Sequence, residues 1–355
     1  MPCTVRISLV FLAALLLQAC ASAPRVMQFF PDGLVPEKVI VWPPPPEIAR
    51  FEYAGLLIGE SNFTMADGAR DSVGVRLLRW VAGLGGRQAA IRQLIRPQSG
   101  MVDANGRILV TDAGRQAILV FDEVQGELSI WEDIGDGGTF QSPVGIASHV
   151  NGEILVADAA LGAIVVLTPE GKPLGRIGEE ILQRPSGLSV DPVSGEIYVS
   201  DTAAHDIKVF ESSGKLLRTI GRRGTSPGEF NGPTHIRFND GRLYVTDTLN
   251  ARVQVMTASG DVTAEIGRRG LYVGNLVRPK GVTNDTHGNV YVIESYYDHL
   301  LVFDADGNLL MPIGGTGNQV GQFFLPAGIW SDSENRIFVA DMFNGRVVVL
   351  RYLGG

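Results

Sequence analysis

The residues whose types could do chemistry stand close together in the segment Gly195–Phe210, which reads GEIYVSDTAAHDIKVF. Asp201 ends an alternating apolar stretch, His205 follows in a short link, and Asp206 begins a second apolar stretch. Two carboxylates and an imidazole at this spacing could bind a metal ion or transfer protons. Whether they form a site depends on whether the segment occurs only once in the chain.

The segment is one copy of a pattern that occurs six times. Each copy has a proline, a glycine turn, an apolar alternation that ends on an acid, and a large apolar residue nine positions later. The prolines are Pro97, Pro143, Pro185, Pro233, Pro279 and Pro326. The acids, spaced 43 to 47 residues apart, are Asp112, Asp158, Asp201, Asp247, Glu294 and Asp341. Because six positions around a ring cannot converge on one site, each acid is predicted to accept backbone N–H groups in a turn, and His205 is predicted to be a turn residue.

Each copy predicts four short strands, which we call a to d in chain order. In the third copy they are GLSV, EIYVSD, IKVF and KLLRTIG. Four antiparallel strands in each of six copies predict an all-β fold, a six-bladed β-propeller. The sixth copy lacks strand d, whereas ARFEYAGLLIGE at 49–60 looks like a strand d without its partners. This N-terminal strand is predicted to close the ring, because pairing removes an exposed edge.

The motifs DTLNARVQVM and DMFNGRVVVL, together with GRRGTSPGEFNGP, resemble NHL repeats. The resemblance covers Pro97–Leu350, although the Asn–x–Arg signature survives only at Asn250/Arg252 and Asn344/Arg346. It implies a six-bladed propeller and is closest to the bacterial NHL-repeat lipoproteins.

NHL relatives include peptidylglycine amidating lyase, whose channel metal is held by histidines directly after the blade prolines. The corresponding residues here are Gln98, Val144, Ser186, Thr234, Lys280 and Ala327. None is a histidine, so that metal site is not carried over, and neither a metal, a cofactor nor a catalytic residue is predicted. His205, His235 and His299 fall on one face in consecutive blades, which leaves a metal site there as the alternative.

The N-terminal segment predicts export. Ile7–Leu17 is an apolar run of signal-peptide length, and the following LQAC resembles a lipoprotein signal that is cleaved before Cys20. The alternative is an ordinary secretory signal. We expect a signal peptide over 1–19, a lipidated Cys20 with a proline-rich tether over 20–46, and a periplasm-facing, lipid-anchored location, at the outer membrane rather than the inner one.

Net charge and cysteine content exclude further classes of partner and of chemistry. Without residues 1–19 the chain has 29 basic and 38 acidic side chains, a net charge of −9, which disfavours a nucleic-acid partner. It also retains no cysteine other than Cys20, so disulfides and thiolate chemistry are excluded. The propeller is predicted over 47–355, with an insertion at 61–96 that contains a helix with Val75, Leu78 and Val81 on one face.

Departures from the repeat mark the predicted binding face. At two positions of strand a where the other copies carry mostly small residues, the fourth copy has His235 and Arg237 and the sixth has Trp330. Strand order assigns these residues to the end of the ring with the b–c turns and d–a loops. The other residues predicted at that end are Tyr297, Arg222 and Arg268. Such side chains suit an anionic or aromatic ligand, or a partner protein. The predicted function is a lipid-anchored binding or scaffold module; the alternative is a metal-dependent lyase or lactonase-like enzyme.

Overall fold

The computed structural model describes residues 24–31, 33–34, 36–66 and 92–354. In these residues the regular structure consists of short β-strands and three single-turn 3-10 helices, Glu60–Asn62, Thr248–Asn250 and Met342–Asn344. Six sheets of antiparallel strands form the blades of a propeller. The predicted all-β, six-bladed architecture is therefore confirmed.

The strands follow the predicted repeat. The N-terminal region contributes β1 (Arg25–Met27), β2 (Val41–Trp42), β3 (Phe51–Leu57) and β4 (Phe63–Met65). Blade one is β5 (Pro97–Val102), β6 (Ile108–Asp112), β7 (Ala117–Asp122) and β8 (Glu127–Trp131). Blade two is β9 (Pro143–Ser148), β10 (Ile154–Asp158), β11 (Ala163–Leu167) and β12 (Pro173–Ile177). Blade three is β13 (Pro185–Val190), β14 (Ile197–Asp201), β15 (Asp206–Phe210) and β16 (Leu216–Ile220).

The second half of the ring repeats this order. Blade four is β17 (Pro233–Asn239), β18 (Arg242–Asp247), β19 (Arg252–Thr257) and β20 (Val262–Ile266). Blade five is β21 (Pro279–Asn284), β22 (Val290–Glu294), β23 (His299–Phe303) and β24 (Leu309–Gly314). Blade six contains β25 (Ile329–Ser331), β26 (Arg336–Asp341) and β27 (Arg346–Tyr352). In every blade strand a is innermost, because it contacts the a strands of both neighbouring blades.

The ring is closed by the N-terminal strand. Blade six has the strand order β2-β3-β27-β26-β25, so β3 occupies the place of the missing strand d. Its register runs from Leu57 opposite Val347 to Phe51 opposite Tyr352. The predicted closure is confirmed, and β2 adds a fifth strand outside it.

The core consists of apolar clusters between neighbouring blades. Phe121 of blade one, for example, packs in one cluster with Phe338 of blade six, and both side chains are fully buried. Burying one such side chain stabilises the fold by about 1.5–3 kcal/mol. Because each cluster needs two blades, the ring is stable only as a whole.

The described part of the predicted tether is folded against the propeller. β1 pairs with β4, β2 pairs with β3, and Phe29, Phe30 and Trp42 pack on the blade clusters. The prolines predicted an extended segment, whereas burial of these aromatic side chains holds it in place. The first residues of the predicted insertion, 61–65, hold the end of a 3-10 turn and β4. Cys20 and the segment 71–86, where the helix is predicted, lie outside the described residues.

Candidate functional site: the central cavity

The ring has two ends, which differ in the connections they carry. The proline end carries the b–c turns and the d–a loops, and strand a of each blade starts there at or just after its proline. The hairpin end carries the a–b and c–d turns. Strand a therefore runs through the centre of the ring from the proline end to the hairpin end.

The repeated acids have a structural role at the proline end. Asp201 is fully buried, and its carboxylate accepts hydrogen bonds from the N–H groups of Gln183 (2.7 Å) and Arg184 (2.8 Å) in the preceding loop and of Ala204 (3.3 Å) in its own turn. The turn bond agrees with the sequence prediction, and the two loop bonds add to it. Carboxylate-to-loop bonds recur in the other blades, at Asp112, Asp158, Asp247, Glu294 and Asp341.

The Asn–x–Arg signature supports the same carboxylates. Asn250 and Arg252 both donate to Asp247, at 2.7 Å and 3.0 Å. Arg252 also donates to the backbone carbonyls of Ser226 (2.9 Å) and Glu229 (3.0 Å) in the d–a loop. The signature residues thus tie a b–c turn to a d–a loop.

His205 is a turn residue, as predicted. Its backbone φ is 60°, and its Nδ1 accepts a hydrogen bond from the N–H of Gly232 at 3.0 Å. The same turn position has a positive φ in the other blades, at Gln116, Gly162, Ala251, Asp298 and Gly345. In the described part of the chain, no group of three or more His, Cys, Asp or Glu side chains is placed to hold a metal ion.

A cavity of about 800 Å³ occupies the centre of the ring. It is lined by strand a of all six blades and continues to the a–b turns, so it reaches the hairpin end. Apolar lining comes from residues such as Met101, Ile146 and Leu188. Two large side chains, Arg237 and Trp330, belong to the lining where other blades have smaller residues, and the buried indole ring of Trp330 stacks on Phe338 with ring centroids 5.4 Å apart.

Several polar atoms of the cavity lining have no hydrogen-bond partner among the described residues. They are Nδ1 and Nε2 of His235, Nε of Arg237, Oδ1 of Asn284 and Nε1 of Trp330. These are five of the ten buried polar side-chain atoms without a partner in the described residues, so half of them belong to one cavity. Because buried polar groups are normally paired, this concentration makes the wall of the cavity the least satisfied polar region among the described residues.

The basic side chain in the cavity lining, that of Arg237, forms no ion pair among the described residues. Burial lowers the pKa of Arg237, and no acidic neighbour opposes that effect. Burial also lowers the pKa of His235 to about 3, with a smaller contribution from the ammonium group of Lys280. The imidazole is therefore neutral at pH 7 and can donate one hydrogen bond and accept another.

Three of the four acidic residues at the hairpin-end rim of the cavity have partners in their own turns, and the fourth, Asp240, is exposed. Asp103 pairs with Arg107 at 2.6 Å, and Asp332 with Arg336 at 2.6 Å. Asp285 accepts the hydroxyl hydrogen bond of Tyr291 at 2.6 Å. These three carboxylates stabilise a–b turns, and among the described residues Arg237 forms no ion pair with any of the four acids.

The structure brings together three of the six predicted site residues. His235, Arg237 and Trp330 line the central cavity. Their cavity opens nearer the hairpin end than the sequence indicated. The reason is that strand a leads away from its proline, through the centre of the ring and towards the hairpin end. Three other residues stay on the outer surface of the proline end. Arg222 bonds to Glu229 at 3.0 Å, whereas Tyr297 and Arg268 line two separate small pockets.

Sequence reasoning missed two polar residues near the channel. Asn284 lies in the cavity lining at the end of strand a. Lys280 was considered only as a position without histidine, although it is the one charged residue among the six that directly follow the prolines. That departure from the repeat is the signal by which it could have been found.

The proline end also carries exposed apolar side chains beside arginines. In blades four and five Tyr272 is 83% exposed and Leu271 is 78% exposed. Exposed apolar side chains also occur in the same loop, at Val273, and in the b–c turns of blades four and five, at Leu249 and Tyr296. We call this region the basic–aromatic sector; its basic residues are Arg184, Arg222, Arg223, Arg268, Arg269, Arg278 and Lys280.

Fold and cavity define the class of the protein, a six-bladed β-propeller with a ligand-sized central cavity. Residues 182–210 match the family model described as NHL repeat. The chain is thus a propeller that contains an NHL repeat, in agreement with the resemblance found in the sequence. No curated protein matches the chain.

Solved structures of similar fold include proteins with different described roles. Virginiamycin B lyase from Staphylococcus aureus is 17% identical, with a TM-score of 0.53, over 73% of this chain and 95% of that one. An auxiliary nutrient binding protein from Bacteroides ovatus is 15% identical, with a TM-score of 0.57, over 72% and 69%. A gluconolactonase from Xanthomonas campestris is 17% identical, with a TM-score of 0.53, over 76% and 93%. At these identities the likeness is one of fold.

A search for membrane-spanning helices among the described residues finds none that is long and apolar enough.

Proposed function

We propose that the protein is a binding module whose central cavity holds a small ligand with an anionic group. The observation that carries the proposal is the guanidinium group of Arg237, which lines the cavity without a partner among the described residues. Arg237 is half-buried, and the Nε atom of its guanidinium group is buried without a hydrogen-bond partner. A carboxylate or phosphate group would supply that partner through charge-assisted hydrogen bonds.

The rest of the lining supports a ligand with an apolar part and further polar atoms. The volume of about 800 Å³ lies within the range of roughly 300–1,000 Å³ that small-molecule sites occupy. Trp330 offers an N–H donor and Asn284 a carbonyl acceptor, both without a partner, beside the apolar Ile146 and Leu188. The nutrient-binding neighbour from Bacteroides ovatus has the same fold and a binding role, which agrees with this proposal.

The test replaces Arg237 and measures anion binding and stability together. The probes are inorganic phosphate, acetate and benzoate, each followed by calorimetry and by the shift in melting temperature. We expect Arg237→Met to lower the affinity of the bound anion by at least about tenfold, since a charge-assisted pair is lost. The free variant should be at least as stable as the wild type, because a half-buried arginine without an acidic partner is removed.

Arg242→Met is the matched control, because Arg242 is exposed at the hairpin end of the same blade. It should leave both affinity and stability unchanged. The proposal is wrong if none of the three anions stabilises the wild type at millimolar concentration. It is also wrong if Arg237→Met binds them as well as the wild type does.

The fold likeness to the lyase and the gluconolactonase supports the enzymatic alternative. A metal-dependent reaction would require a bound metal, so elemental analysis of the purified protein separates the two functions. A stoichiometric metal that is lost with chelation, together with turnover of a lactone, would favour the enzyme.

We also propose that the protein is anchored in the cell envelope through a lipid on Cys20. The support is the apolar run followed by LQAC in the sequence. Fractionation and metabolic lipid labelling of the full chain and of Cys20→Ser test this proposal. The wild type should take up label and sediment with membranes, and the variant should do neither; an unlabelled wild type contradicts the anchor.

A further inference from the structure

The residues that directly follow the blade prolines lie at the proline-end start of strand a, and most of the polar ones are already bonded. The side chain of Ser186 donates to the carbonyl of Thr234 at 2.9 Å, and Thr234 shares a hydrogen bond with Thr248 at 2.7 Å. Gln98 donates to the sulfur of Met342 at 3.1 Å. Lys280 is the exception, because no hydrogen bond or ion pair satisfies its ammonium group within the described residues.

The groups around the ammonium group of Lys280 favour the binding of an anion there. Burial lowers its pKa, and the positive charges of Arg278 and Arg184 lower it further. Arg184 precedes the proline of blade three and Lys280 follows the proline of blade five. These two blades lie on either side of blade four. The positive charges of Arg184 and Lys280 therefore repel each other across the proline end of the channel. No ion pair among the described residues relieves this cluster, whereas Arg222 and Arg252 in neighbouring loops do have acidic partners.

The loops around the cluster expose apolar side chains to solvent. Leu271, Tyr272 and Val273 are consecutive in the d–a loop after blade four and are 78%, 83% and 64% exposed. Leu249 and Tyr296, in the b–c turns of blades four and five, are 57% and 58% exposed. Tyrosine and arginine are enriched among the residues that dominate binding energy at protein interfaces.

From these observations we propose that the basic–aromatic sector is a docking surface for an acidic segment of a partner protein, which places a carboxylate side chain on Lys280. Charge complementarity selects the partner, since the sector is rich in arginine and the ammonium group of Lys280 has no acidic partner among the described residues. The exposed tyrosine and leucine side chains would pack against apolar residues of the same segment. The surface is distinct from the central cavity, whose lining includes Arg237 but not Lys280.

A protein segment fits this surface better than an anionic membrane does. Lys280 is partly buried, whereas Tyr272 projects into solvent. A bilayer surface would meet the projecting side chains and the outer arginines first. A carboxylate at the end of a flexible side chain can reach the half-buried Lys280. Dependence of binding on Lys280 therefore separates the two occupants.

The test uses a fluorescent, capped peptide of six glutamates with a central phenylalanine, and measures its binding to the full chain by anisotropy. We expect Lys280→Gln to weaken binding at least about tenfold and Tyr272→Ser to weaken it several-fold, while each variant keeps the melting temperature of the wild type. A peptide with glutamine in place of glutamate should not bind. Raising the salt concentration should weaken the wild-type complex.

Two controls make the result specific. Lys215→Gln removes an exposed lysine at the hairpin end and should leave binding unchanged. Arg237→Met removes the cation of the cavity and should also leave peptide binding unchanged. The docking proposal can therefore fail while the cavity proposal holds, and the cavity proposal can fail while the docking proposal holds. The docking surface is disproved if the wild type does not bind the peptide, if Lys280→Gln binds it normally, or if vesicles of anionic lipid bind and the peptide does not.

Discussion

The two ends of the ring are built from the same repeat, yet their carboxylates do different work. At the proline end Asp201 is fully buried and joins its turn to the loop from the preceding blade. At the hairpin end Asp191 is partly exposed and bonds only within its own turn, to the N–H of Val193 at 2.8 Å and the hydroxyl of Ser194 at 2.7 Å. The proline end is therefore a frame that is braced in every blade, whereas the hairpin end has fewer bonds between neighbouring blades, such as the one from Arg107 to the carbonyl of Pro169.

This difference explains where each surface property can occur. A frame held by buried carboxylates keeps the loops of the proline end in fixed positions, so exposed side chains there form a defined surface. The hairpin turns make few bonds to one another, and the central cavity reaches the solvent between them. Polar side chains without partners, such as Arg237 and Trp330, line that cavity rather than the frame.

The largest expected contrast is between Asp201→Ala and Asp191→Ala. The first change leaves three partly buried N–H groups without their acceptor and should lower the free energy of unfolding by about 3 kcal/mol. The second removes bonds that water can replace and should cost less than about 1 kcal/mol. Urea denaturation of both variants measures the contrast. Equal losses would show that the two ends are braced alike.

The second contrast concerns acid sensitivity at the cavity. The pKa of His235 is lowered to about 3 by burial, against about 6.5 when unfolded. The unfolded chain therefore binds more protons between these values, and this residue makes stability fall as the pH falls through that window. From pH 7 to pH 4.5 the wild type should lose roughly 2 kcal/mol more than His235→Gln does. Melting curves at both pH values test this, and parallel losses would contradict a buried neutral imidazole.

A smaller contrast is expected for two arginines. Arg252 donates to Asp247 and to two loop carbonyls at the proline end, whereas Arg107 bonds to Asp103 and to the carbonyl of Pro169 at the hairpin end. Arg252→Lys should cost about 1–2 kcal/mol, because lysine cannot reproduce the planar set of donors. Arg107→Lys should cost less. Denaturation midpoints compare the two, and the reverse order would oppose the frame model.

The smallest effect is expected on the exposed surfaces. Tyr272→Ser at the proline end and Val193→Ser at the hairpin end remove side chains that are 83% and 93% exposed. Both changes should leave the free energy of unfolding within about 0.5 kcal/mol of the wild type. A loss of more than that at Tyr272 would mean that the side chain packs on the fold and is not available to a partner.

Much of the architecture is predictable because it is repeated. Six acids at nearly constant spacing imply six equivalent turns, and the missing strand d implies where the N-terminal strand must pair. The positive φ that recurs at His205 and Ala251 follows from the same equivalence. Each of these predictions is supported by several copies of the repeat. It therefore holds even where one copy departs from the common pattern.

The candidate site is less predictable because it consists of departures from the repeat. The unusual residues His235, Arg237 and Trp330 were identifiable, but the end of the ring to which their cavity opens was not. Tyr297 has a similarly unusual type and lies in a separate pocket on the outer surface. A residue type indicates what a side chain can bind, whereas the path of strand a through the ring decides which side chains meet.

The sequence by itself determined the repeat, the number of blades, the closing strand and the structural role of Asp201, since all of these depend on local pattern and spacing. Only the tertiary structure decided that Phe29 and Trp42 pack on the blades instead of belonging to a free tether. It also decided that Arg237 and Lys280 lack partners among the described residues. The physical reason is that burial and pairing depend on groups from distant parts of the chain, and those groups become neighbours only when the ring closes.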